Sequence, residues 1–165
     1  MSAVKLDEGA EKAITDELTR KMQDVRSAII YGLHDAGTEA VKRAREVVIE
    51  GGVALVGAPY TVQTSNLVSS TGYGIVEDGR LIETSTFDAV GGPKGDGVEG
   101  SQTGREYLNK LARQFPRGYA LILVAGMHYA SYVQEIHHRD VLAGASLIAE
   151  NLVRRLQTKI QRKSR

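Results

Sequence analysis

Ten apolar residues, Ile14, Leu18, Met22, Val25, Ile29, Leu33, Ala36, Ala40, Ala44 and Val47, recur in steps of three or four. That spacing places them on one face of an α-helix. It is the longest periodicity in the chain and predicts a helix over residues 5–50. Gly32 and Gly37 fall inside the pattern, and each costs about 1 kcal/mol relative to alanine, so a bend or break is expected between them. Gly51-Gly52 should end the helix. A helix this long exceeds the usual length in a small domain, so part of its apolar face is expected to pack on a neighbouring subunit and not on its own core.

Beyond the helix, Val53 to Val56 reads as a short strand, and Pro59 interrupts any longer one. Leu67 to Glu77 and Arg80 to Phe87 flank Asp78-Gly79, a pair suited to the positive φ angles of a type I′ turn, so they predict a β-hairpin. Residues Asp88 to Gly104 are rich in glycine and hold three acids against the single cation Lys94. With little apolar content, they read as a mobile loop. Gly104 to Gln114 predicts a short helix closed by Pro116 and Gly118. Tyr119 to Ala125 is almost wholly apolar, as in a central buried strand, and Tyr129 to Ile136 continues extended. From Asp140, a plausible N-cap, the spacing Val141, Ala145, Ile148, Leu152, Leu156 and Ile160 predicts a final amphipathic helix. The fold class that follows is α+β. A small, mostly antiparallel sheet is packed by a long N-terminal helix, a short middle helix and a C-terminal helix, all within a single domain over residues 1–165.

At 165 residues with 42% hydrophobic content, such a domain can bury a substantial core without metals or disulfides. The absence of cysteine excludes disulfides, thiolate metal sites and a cysteine nucleophile, and fits a reducing compartment. Residues Met1 to Glu11 form no apolar signal core, and no window reaches the roughly 18 apolar residues of a membrane span. A soluble protein, not secreted through a cleaved signal, is expected. Lys and Arg number 21 against 20 acids, a net charge of +1, so no whole-molecule attraction to nucleic acid arises. Residues 154–165 nevertheless carry Arg154, Arg155, Lys159, Arg162, Lys163 and Arg165 without an acid. A basic helix end ordinarily faces water and complements the macrodipole. If the patch lined a surface that DNA approaches, Arg154, Arg155, Lys159 and Arg162 would face phosphates.

No motif of catalysis stands out. The run Gly91 to Gly100 lacks the Gly-Lys-Ser/Thr of a phosphate loop opening a helix, and Asp96 and Glu99 would repel phosphate. As an arm ordered by a partner subunit, with Gly92 and Lys94 in contact, the same run is more credible. His128, His137 and His138 do not form a three-histidine metal cage on one extended segment. His137 and His138 point to opposite faces, and His128 lies too far along the strand to join His138. Ser65, Ser69 and Ser70 lie in a polar stretch with no histidine nearby in sequence and no nucleophile elbow. The carboxylates show no pairing distinct from a solvated helix face. Tyr129 and Tyr132 are more often core or interface residues than stacking platforms for bases.

Gly126, Tyr129, Ala130, Tyr132 and Val133 match a Gly-x-x-Tyr-Ala-x-Tyr-Val pattern, and Tyr60, Thr64, Asn66, Leu67, Ser69 and Ser70 match a second patch ahead of the hairpin. In both, the chain resembles the tail-component proteins of tailed bacteriophages, which complete the neck between portal and tail tube. Two positions depart from the second pattern: Ser65 stands where that family favours glycine, and Val68 where it favours arginine. The resemblance implies a non-enzymatic virion protein without cofactor, made in the bacterial host cytoplasm and acting as one subunit of a homo-oligomeric ring. Portal-side and tail-side virion proteins would be its partners, with non-specific contact to packaged DNA and none with membrane. Tail completion, head closure and tail termination share the same requirement for ring packing. Subunit contacts are then expected from the first helix and from Tyr129 to Ile136, and contact with the next ring from Asp88 to Gly104. A small DNA-binding module and an enzyme of unrecognised type are the alternatives from other classes.

Overall fold

The computed structural model describes residues 7–50, 65–127 and 142–163. Helix α1 spans Glu8–Glu50 as 43 unbroken residues. Asp7 opens it, its Oδ1 accepting from the Ala10 amide at 2.7 Å, and Glu8 and Glu11 place negative charge in the first turn, where the helix dipole favours it. The glycines do not break the helix. A Cβ at Gly32 would lie 2.6 Å from the Leu156 side chain, and one at Gly37 would lie 2.6 Å from the Tyr73 ring. Each glycine therefore admits a large neighbour against the helix backbone. The apolar area removed from water at these two contacts offsets the propensity lost.

A one-turn helix α2, Asn66–Ser69, leads into strands β1 (Thr71–Glu77) and β2 (Arg80–Thr84). They pair antiparallel around Asp78 and Gly79, whose φ angles of 48° and 79° are those of the expected tight turn. A bulge at Ile75/Val76 shifts the hairpin register. Residues Leu67 to Ser69 are helical and Ser70 caps them, so the strand starts at Thr71 and not at Leu67 as the sequence pattern had it. The Ser70 and Thr71 hydroxyls both donate to the Leu67 carbonyl, at 2.9 and 2.8 Å, and these local bonds favour the turn over a ladder. Ser65 enters that turn at φ 55°, a left-handed conformation that favours glycine. Its hydroxyl donates to the Gly91 carbonyl at 3.2 Å.

Helix α3, Val98–Ala112, begins inside the stretch expected to be a loop. Its glycines serve contact. Gly100 sits so close to α2 that a Cβ there would meet the Asn66 carbonyl oxygen at 2.1 Å, and Asn66 Nδ2 donates to the Glu99 carboxylate at 2.7 Å. Strand β3, Tyr119–Ala125, pairs antiparallel with β1, so the sheet order is β2-β1-β3. The central strand is thus β1, not β3: nearly all of β1 is buried, and its Gly72 and Gly74 let Phe87, Leu81 and Leu108 approach the backbone. Helix α4, Ala143–Lys163, closes the described chain. Its expected N-cap Asp140, the stretch Val53 to Val56 and the segment Tyr129 to Ile136 lie outside the described residues.

Three layers result. Alternation along β1 and β3 sends Tyr73, Ile75, Leu121 and Leu123 to one face, where Leu33, Val41 and Val153 of α1 and α4 cover them. It sends Val76, Ile122 and Val124 to the other, against Phe87 and α3 through Leu108 and Ala112. Helix α4 packs antiparallel on α1 through Ala40, Ala44, Ala145 and Ala149. The arrangement is α+β, and among the described residues no helix is long and apolar enough to cross a membrane.

Two glycines should respond oppositely to alanine. Gly100→Ala adds a methyl against immovable backbone and should cost about 1–3 kcal/mol despite alanine's better helix propensity. Gly144, with open space around it, should gain about 0.4–1 kcal/mol from the same change. Urea unfolding midpoints of the two variants check this, and a stabilised Gly100→Ala would contradict the close α2–α3 packing.

Candidate interaction surface

Because α4 ends beside the middle of α1, the first half of α1 runs past the rest of the described molecule. At 1.5 Å per residue, Glu8 to Ala28 makes an arm about 30 Å long. Its apolar stripe is the same one that forms the core further along, yet here Ile14, Leu18, Met22 and Val25 are 50%, 56%, 72% and 46% exposed. A run of four large apolar residues in water on one helix face marks a contact surface. Among the described residues this part of the stripe lies outside the core that its continuation forms.

The base of the arm is clamped electrostatically. Arg26 donates from Nε and Nη2 to the two carboxylate oxygens of Glu77, at 2.8 and 2.6 Å, and the Tyr119 hydroxyl donates to Glu77 Oε1 at 2.6 Å. The fork of Arg26 first, then the Tyr119 hydroxyl, holds the Glu77 carboxyl at about 2, well below its ordinary 4.5. The same carboxylate raises Arg26 and Tyr119 above their usual values. A bidentate pair has directional as well as Coulombic content, so it fixes the angle at which α1 leaves the sheet.

Two grooves flank this base. One, of about 770 Å³, lies between α4 and β3, floored by Leu33, Leu121, Leu123, Ala149 and Val153, and rimmed by Glu150 and Arg154. A shallower one, about 330 Å³, lies along the arm beside Tyr119, with Lys21 and Arg26 at its edges. A third cavity of about 550 Å³ opens between α1 and the hairpin. In it the His34 imidazole bonds the Glu83 carboxylate through Nδ1, the Tyr73 hydroxyl lies 2.9 Å from the same nitrogen, and the two rings meet edge to face. Burial pushes the Tyr73 phenol above its ordinary value. Arg45 donates to the Thr71 carbonyl at 3.0 Å, and burial lowers its guanidinium.

The sequence-selected residues are placed unevenly. Gly92 bonds Gly95 across a tight turn, its amide donating at 2.7 Å, and Lys94 stands exposed at that turn's tip. Residues 88–97 are irregular but tied down: Ser69 Oγ accepts from the Val90 amide at 2.9 Å. Of the basic residues, Arg155, Lys159 and Arg162 share one face of α4 by their spacing, whereas Arg154 lines the large groove on another side. Tyr129, Tyr132 and the histidines 128, 137 and 138 lie outside the described residues. Among those described, no group of three His, Asp or Glu is arranged to hold a metal. Sequence reasoning passed over His34, Glu77 and Glu83. Their partners lie 39 to 51 residues away in the chain, and no short-range pattern signals such pairs.

The clamp yields a pH prediction. A carboxyl whose folded value is lowered stabilises the fold above its unfolded value and loses that contribution as pH falls toward the folded one. The stability difference between the wild type and Glu77→Gln should therefore be constant near neutrality and shrink on acidification from 4.5 toward about 2. Because the pair is partly exposed, added salt should reduce it too. Urea midpoints across that range provide the measurement, and a difference that stays constant would exclude the clamp. Comparison of the chain with protein-family models, curated proteins and solved structures finds no match.

Proposed function

We propose that this chain is a structural subunit of a tailed-bacteriophage virion, a non-enzymatic neck protein that assembles with copies of itself into a ring joining the portal side of the head to the tail. The observation that carries the reading is the arm of α1, whose apolar stripe leaves its own core and enters water. A chain that keeps such a stripe exposed gains by burying it against another subunit. The resemblance to phage tail-component proteins at Asn66, Leu67, Ser69, Ser70 and Gly126 supplies the biological setting. Asn66, Ser69 and Ser70 are buried where α2 meets the sheet and α3, so these matches lie in the scaffold that carries the arm. Head closure and tail termination are variants of the same role. In each, identical subunits contact one another head to tail, and the rotation between neighbours closes a ring around the DNA channel. The turn at Gly92 and Lys94 is then available to an adjoining ring, and the face with Arg155, Lys159 and Arg162 to packaged DNA.

Native mass spectrometry of the purified chain over a range of concentrations, followed by electron microscopy of the largest species, tests the proposal. A closed ring without bound ligand is the expected result. A stoichiometric metal ion or nucleotide, or open aggregates without closure, would overturn it.

A further inference from the structure

The α1 arm and the groove between α4 and β3 match in length and in charge. The exposed stripe from Ile14 to Val25 and the groove wall on α4 from Ser146 to Gln157 each cover eleven residue steps, about 17 Å of helix. One edge of the stripe carries Glu17 and Lys21, one turn apart and ion-paired at 3.6 Å. The rim of the groove carries Glu150 and Arg154, also one turn apart.

We infer that the partner of the arm is a second copy of this chain, whose α4–β3 groove receives the stripe with the two helices antiparallel, Glu17 facing Arg154 and Lys21 facing Glu150. This rests on the assembly reading above and specifies its interface. The charges select the direction. Run parallel, the same register would set Glu17 against Glu150 and Lys21 against Arg154, two repulsions in place of two attractions.

The antiparallel register also sets the positive end of one helix dipole beside the negative end of the other. Apolar burial comes from Leu18, Met22 and Val25 over Leu121, Leu123 and Val153. The Glu17 pairs with Arg20 and Lys21 are exposed, and exposed pairs are weak enough to be exchanged at little cost. Arm and groove occupy different parts of each subunit, so the contact is heterologous: every copy gives an arm and receives one, as a ring requires.

Exchanging charges tests the register without changing net charge. Sedimentation velocity at low ionic strength would compare the wild type, the arm variant Glu17→Lys with Lys21→Glu, the groove variant Glu150→Arg with Arg154→Glu, and the fourfold combination, with circular dichroism to show that each is folded. Each twofold exchange should weaken self-association on the order of tenfold, and the fourfold one should restore most of it. A monomeric wild type, an arm exchange without effect, or a fourfold variant no better than the twofold ones would overturn the inference. Rings that persist in both twofold variants would sink this interface and leave the neck reading intact. Arm-dependent association into open chains would sustain the interface and sink the ring.

Discussion

The close approach of α1 and α4 governs the rest of the molecule. Alanines at 40, 44, 145 and 149, with Gly32 beneath Leu156, let two helix backbones come together where larger residues would hold them apart. That antiparallel pair then lies on the sheet through Leu33, Tyr73 and Ile75. Since α4 has 21 residues and α1 has 43, an overhang is unavoidable. The arm is thus a geometric consequence of helix lengths, and its apolar stripe is the core stripe continued past the point where a partner exists.

An arm of this kind suits assembly for energetic reasons. A preformed helix loses little conformational freedom on docking, so more of the apolar burial appears as affinity than for a segment that must fold as it binds. The Arg26, Glu77 and Tyr119 clamp adds orientation. It ties α1 to the ends of β1 and β3, so the arm leaves the sheet at a set angle. Below it, the hairpin turn is bound to the start of β3 by reciprocal bonds between Asp78 and Gly118, at 2.9 and 2.8 Å. The arm's base is therefore held at both strand ends.

Much of the fold was legible in the chain. The heptad-like stripe, the Asp78-Gly79 turn and the apolar run before Ala125 each carry a local signal strong enough to name a helix, a hairpin and a strand. What misled were the glycines. Gly32 and Gly37 read as breakers of α1, and Gly100 and Gly104 as parts of a loop, because propensity records only what a residue does to its own backbone. Each of them instead makes room for something distant in sequence: Leu156, Tyr73, the Asn66 backbone, and Phe87 with the Ser70 carbonyl. The candidate surface was half visible. An overlong apolar stripe could be seen in the chain, but neither the groove nor the clamp could be found, since their residues converge from helices and strands far apart in the chain.

By itself, the sequence determined which segments are helical or extended and which faces are apolar, since those follow from periodicities of 3.6 and 2 that any few turns of chain express. Tertiary structure decided where the apolar stripe of α1 passes from core to water, because that point is set by where α4 ends against it. It also decided that Glu150 and Arg154 rim a groove and that Glu77 holds Arg26, because such juxtapositions depend on how the layers stack and not on any local pattern.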